Sequence, residues 1–280
     1  MNINWYPGHM KKTKEAIKKS LTLIDIIYEL LDARIPISSK NPDIDSLVGN
    51  KPRIIILNKS DLSNPDNNLK WQKKLSESGI PSILVNSLDN TGINNLIRKS
   101  NELMKEKRDN LEKKGIKNKA VRVMMVGIPN VGKSTLINSL SGRKGAKTGN
   151  KPGVTKGNQW IKLKGNLELL DTPGILWPKF EDKEIGLNLA FTGAIKDELL
   201  DIETLAYRLI EKLVTICPCL LEERYNITIS GKSTIEIFEQ IGKKRGCILK
   251  GGEIDFDKTS NIIIDDFRKC RIGRITLELP

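Results

Sequence analysis

The nine residues GIPNVGKST, 127–135, constrain this chain more than any other stretch. They fit G-x-x-x-x-G-K-[ST], follow the apolar run VRVMMV and precede the helical pattern STLINSL. Strand, glycine-rich loop and helix in that order are the context the motif requires. The glycines let backbone N–H groups point at an anion, and the helix N-terminus adds its positive dipole. Lys133 then reaches the β/γ-phosphates of a nucleoside triphosphate, and Ser134 holds Mg²⁺. Val131, Gly132 and Thr135 complete the expected phosphate-binding set.

The rest of the chain supplies a sheet for that loop. Apolar, β-branched runs recur in the second half of LTLIDIIYELLD, in RIIILN and in SILVNS. Helical patterns such as NLKWQKKLSES and GINNLIRKSNELMKEK lie between them. Strands alternating with helices predict βαβ units around a buried, mostly parallel sheet. The charged stretch 105–119 starts as helix and ends as a linker, with Gly115 as the break. NQWIKLKGNLELLDTPG predicts two short strands joined at Lys164-Gly165-Asn166. After about Pro178 the pattern turns helical, in IETLAYRLIEKLV, STIEIFEQIGKKRG and NIIIDDFRKCRIG. The expected class is α/β, with domains at 1–178 and 179–280, the second smaller and mainly helical.

NKSD, residues 58–61, follows the strand RIIIL. In this pattern the Asp61 carboxylate accepts from guanine N1–H and the 2-amino group. Adenine would leave it unpaired, at a cost of a few kcal/mol. Lys59 would lie along the base, Asn58 would brace the loop and Ser60 lies between them and Asp61. Asn and Asp after a strand also make ordinary turns. Asn86 and Ser87, closing SILV, are candidates to meet guanine O6 through backbone N–H.

DTPG, residues 171–174, fits a γ-phosphate-sensing loop, with Asp171 reaching Mg²⁺ through water and Gly174 at the γ-phosphate. Many GTPases follow that glycine with a glutamine that orients water. Here the residue is Ile175, which has no polar atom to offer. Either hydrolysis is poor, or the polar group comes from elsewhere in the chain.

The order of these motifs is unusual. NKSD precedes the phosphate loop by about 70 residues, whereas an ordinary GTPase has the phosphate loop first. The same sheet forms if the chain is cut after DTPG and the old ends are joined near 105–119, since domain ends lie at the surface and often close together. With this order, and with WYPGHMKK, IYELLDARIPISSKNP, KPGVT, DTPGILWPKFED and KRGC…GG…D, the whole chain resembles the circularly permuted GTPases of the bacterial ribosome biogenesis GTPase A family. The resemblance implies a circularly permuted P-loop GTPase domain and a helical C-terminal domain that binds RNA or the ribosome. It implies GTP and GDP as ligands, and action in late assembly of the large (50S) subunit. Precursor particle, rRNA and ribosomal proteins would be the partners, and the large subunit would stimulate hydrolysis. It also implies that Thr155 closes on Mg²⁺ and the γ-phosphate and that Asn130 recruits a potassium ion. A turn threonine and a loop-bracing asparagine are the competing readings of those two.

His9 is the candidate for the missing polar group. It is the only histidine, the permutation brings its segment toward the γ-phosphate loop, and the resemblance points to the same residue. An imidazole can orient water and accept its proton near neutral pH.

Charge supports a polyanionic partner. Residues 1–180 carry 32 Lys+Arg against 16 Asp+Glu, and residues 181–280 carry 15 against 18. Lys11, Lys12, Lys14, Lys18 and Lys19 form one group and Arg143, Lys144, Lys147, Lys151 and Lys156 another. A solvated charged face is the bland alternative; contacts to RNA phosphates are the functional one. No RNP1-type aromatic motif occurs, so recognition of folded rRNA by shape is expected. No apolar run nears the ~18 residues of a membrane span. The first residues lack the apolar core of a secretory signal, and no lipidation signal favours a membrane switch. A cytoplasmic monomer is expected. The competing class is a non-catalytic RNA-binding assembly scaffold for which GTP is only a conformational ligand.

Overall fold

The computed structural model describes residues 20–142, 160–170 and 182–280. Six strands form one sheet: β1 (Ile26–Asp32), β2 (Arg53–Asn58), β3 (Ser82–Leu84), β4 (Val121–Gly127), β5 (Trp160–Leu163) and β6 (Leu167–Leu170). Their order is β3-β2-β1-β4-β6-β5, and every neighbouring pair is parallel except β5 with β6. That antiparallel pair turns at the expected hairpin, where Gly165 and Asn166 take φ of 72° and 59°. β1 is buried along its whole length, as a strand covered on both faces must be.

The alternation of β1 decides the two faces. Ile26, Tyr28 and Leu30 belong to the main apolar cluster. Helices α3 (Ile93–Leu103) and α5 (Lys133–Ser141) pack there through Leu96, Leu136 and Leu140. On the other face, Ile27 and Leu31 fall in separate clusters. Glu29 lies between them, buried and ion-paired with Arg53 at 3.1 Å. A buried carboxylate cannot join an apolar cluster without a partner, so Glu29 divides this face. Burial pushes its pKa up, and Arg53 partly offsets this.

α1 (Ile44–Val48) and α2 (Pro65–Ser76) flank the same side. α4 (Lys105–Lys113) buries no side chain. That suits the charged join, which ends near Gly115 at φ 78°. The C-terminal part is helical as expected: α6 (Lys183–Phe191), α7 (Ile202–Ile216), α8 (Pro218–Tyr225), α9 (Thr234–Lys244) and α10 (Phe256–Arg268). Their buried faces, including Leu205, Leu209, Phe238 and Ile263, are continuous with the main cluster of the sheet. Asp182, Asp201, Ser233 and Asp255 cap four of these helices, each accepting from a first-turn N–H. None of the helices among the described residues is long and apolar enough to cross a membrane.

Candidate nucleotide site

Parallel strands deliver their following loops to one edge of the sheet, which is where ligands bind in open α/β folds. The loop after β4 carries the phosphate motif, and the loop after β2 carries NKSD. β1 alone separates those strands, with Asp32 level with Asn58 and Leu30 level with Gly127. The permuted order is thereby reconciled: motifs far apart in sequence emerge side by side.

Specific bonds stitch the two loops together. Asn58 Nδ2 donates to Val131 O at 2.8 Å, and Lys59 Nζ donates to Asn130 O at 2.7 Å. Gly132 takes φ of 101°, and a Cβ there would collide with Asn58 Nδ2. Its lack of a side chain therefore serves the junction as well as the turn. Lys59 and Asn130 both adopt left-handed backbone, with φ of 59° and 57°. Non-glycine residues tolerate that region at a cost on the order of 1 kcal/mol, and such conformations gather at functional sites. Ser87 Oγ donates to Asn58 Oδ1 at 2.7 Å. Asn58 is thus held from both sides.

The phosphate end has the form its motif requires. α5 starts at Lys133 after Gly132, with no side chain capping its first turn, which leaves N–H groups for an anion. Lys133 Nζ donates back to Gly127 O at 3.3 Å. Ser134 is exposed and Thr135 half-buried. Asp61 is half-buried, so a bound base would have to complete its burial. Ser60 N donates to Val85 O, and Asn86 N to Thr91 O. Ser60 thus fixes the base loop to the end of β3, the Asn86 bond closes the neighbouring loop on itself, and Ser60 O also accepts from Asn68 Nδ2 at 3.0 Å. His9, Thr155, Asp171, Gly174 and Ile175 lie outside the described residues, as do both groups of basic residues singled out above.

Sequence reasoning missed two participants. Asp32, at the end of β1, accepts Lys59 Nζ at 3.0 Å and both Nε and Nη2 of Arg34 at 2.9 and 2.8 Å. Burial pushes its pKa up, but Arg34 and then Lys59 more than offset this and hold the carboxyl well below the usual range. An acidic residue ending a mostly apolar strand, two before an arginine, was the available signal. The second is Gly193, whose carbonyl accepts from Asn130 Nδ2 at 2.7 Å. That bond joins the phosphate loop to the turn after α6, and leaves Oδ1 as the atom a cation would take. Nothing in the sequence around Gly193 marks it for this role.

Comparisons with known proteins agree with this geometry. A family model described as a 50S ribosome-binding GTPase matches residues 122–217. "Ribosome biogenesis GTPase A" of Bacillus pumilus is 48% identical over 280 residues, covering 100% of this chain and 99% of the relative. Its namesake from Thermotoga maritima is 31% identical over 278 residues, covering 99% and 95%. Among solved structures, GDP-bound and GNP-bound YlqF of T. maritima align with TM-scores of 0.67 and 0.66 at 27% and 28% identity. They cover 95% and 96% of this chain, and 99% and 98% of theirs. With the permuted motif order and the shared sheet edge, full-length identity at this level is decisive: the chain belongs to the ribosome biogenesis GTPase A family.

Proposed function

We propose that this protein binds an immature large (50S) ribosomal subunit in its GTP state, late in assembly, and leaves after hydrolysis that the particle stimulates. The observation that carries this reading is the junction of Asn58 and Lys59 with the carbonyls of Val131 and Asn130. It lets one nucleotide span the base loop and the phosphate loop, in a chain whose full-length relatives are named for ribosome biogenesis. Asp61 would select guanine, Asn86 and Ser87 would border the base, and backbone N–H groups from Gly132 to Thr135 would hold the phosphates. Lys133 would balance charge at the β/γ-phosphates. Mg²⁺, when bound, neutralises charge building on the phosphate oxygens; Ser134, Thr155 and, through water, Asp171 would hold it. Asn130 would offer Oδ1 to a potassium ion.

His9 would orient the attacking water and take its proton as the γ-phosphorus–oxygen bridge breaks, releasing GDP and phosphate. Ile175 would give no such help, keeping turnover slow until the particle docks. We further propose a division at 178/179, with the permuted domain ahead of a helical RNA- or ribosome-binding domain, in a cytoplasmic monomer. Ile175 favours the rival reading, a scaffold for which GTP is only a conformational ligand, only if no other group substitutes for the missing glutamine.

Sedimentation with ribosomal particles tests the proposal. Co-migration with the large subunit in a non-hydrolysable GTP analogue and not in GDP is expected. Equal co-migration in both, or none, would contradict it. Large subunits should also accelerate phosphate release, and His9→Ala should remove most of that gain while leaving association intact. Absence of any acceleration would favour the scaffold.

A further inference from the structure

Residues 275–278 run between the loop after β1 and the loop after β2, which carries the base motif. Ile275 N donates to Leu62 O, next to Asp61, at 3.2 Å. Thr276 Oγ1 accepts from Asn64 N, the capping residue of α2, at 3.1 Å. Leu277 N donates to Arg34 O at 2.8 Å, and Trp71 Nε1 donates to Glu278 O at 2.8 Å. Ile275, Thr276 and Leu277 are all buried, so these bonds are shielded from water.

The Glu278 carboxylate closes the arrangement. It accepts from Ile37 N at 2.6 Å, from Ser38 N at 2.9 Å, from the Ser38 hydroxyl, and from Asn188 Nδ2 of α6 at 3.1 Å. Charge-assisted bonds of this kind are stronger than neutral ones. Arg34, in the same loop as Ile37 and Ser38, grips Asp32, which in turn holds Lys59 of the base motif. The Arg34 guanidinium also lies over the Phe267 ring of α10, 5.6 Å from its centroid.

We propose that residues 275–278 position the base loop, so that guanine recognition depends on the C-terminal segment, with Glu278 as the principal positioning residue. The segment fixes the turn after Asp61 on one side and, through Arg34 and Asp32, Lys59 on the other. Any partner that lifts the C-terminal segment would loosen the base loop, and a bound guanine nucleotide would by linkage hold the segment down. This proposal rests on reading residues 58–61 as the guanine loop.

The test measures GDP and IDP affinities by calorimetry on the full chain. Inosine lacks the 2-amino group, so the ratio of the two affinities reports how well Asp61 is placed. Glu278→Gln turns one acceptor into a donor facing N–H groups, and should weaken GDP binding about tenfold. The GDP-over-IDP preference should shrink with it, whereas general destabilisation would lower both affinities alike. Thr276→Val removes only the bond to Asn64 and should act in the same direction at about threefold. It carries the test should circular dichroism show Glu278→Gln unfolded. An unchanged ratio in a folded variant overturns the proposal. Loss of preference already in the unmodified protein would instead overturn the reading of the guanine loop.

Discussion

Asp32 has almost no contact with solvent, yet it must stay ionised to hold Arg34 and Lys59. Its depressed pKa gives stability that is fully present above the unfolded value of about 4. That stability is lost as pH falls from there through the folded value. Asp32→Asn should therefore cost about 3 kcal/mol at pH 7, leaving Arg34 buried without its counter-charge. The deficit relative to the unmodified protein should narrow when urea melts are repeated near pH 3. A deficit independent of pH would mean that packing, not charge, is lost. Asp32 also marks how far single residues can be read. GIPNVGKST and NKSD are legible as motifs because each is a pattern of a few consecutive residues. Asp32 works on Lys59, in the loop after another strand, and Asn130 works on Gly193, so only the fold reveals either role.

At the scale of elements, Arg268 ties the end of α10 to the turn that meets the phosphate loop. Its guanidinium donates to Phe191 O and Ala190 O at 3.0 and 2.9 Å and to both carboxylate oxygens of Asp197. Arg268→Ala should destabilise the fold by about 1–3 kcal/mol, since Phe191 O loses its donor, Ala190 O keeps only main-chain donors and the Asp197 pair is lost. A thermal melt checks this, and a change below about 0.5 kcal/mol, the range of ordinary surface substitutions, would contradict it. The strands were legible as continuous apolar runs, and the longer helices because their apolar residues repeat with a clear period. The KGN hairpin was legible because glycine and asparagine accept the left-handed turn. α8 was not, because Pro218, which opens it, suits a turn as well as the first position of a helix. The short α1 and α6 likewise lack enough turns for a period to emerge.

For the whole molecule, charge and topology carry the account. The excess of Lys and Arg over residues 1–180 predicts that binding to ribosomal particles weakens steeply with salt, as it does when many phosphates are contacted. Filter binding across a salt series checks this; a flat series would remove electrostatics as the driving term. The permutation was legible from motif order alone, because parallel pairing of β2, β1 and β4 leaves one edge for both loops to occupy. The continuity of the apolar cluster between sheet and C-terminal helices was not, since it depends on long-range packing that no local pattern encodes. The central claim is that both loops serve one guanine nucleotide, and Asp61→Asn tests it most directly. Xanthine has an oxo group where guanine has its 2-amine, so an amide can donate where the carboxylate accepted. Measured side by side, GTP affinity should fall and xanthosine triphosphate affinity should rise until the preference reverses. An unchanged preference for GTP in this variant would contradict the claim.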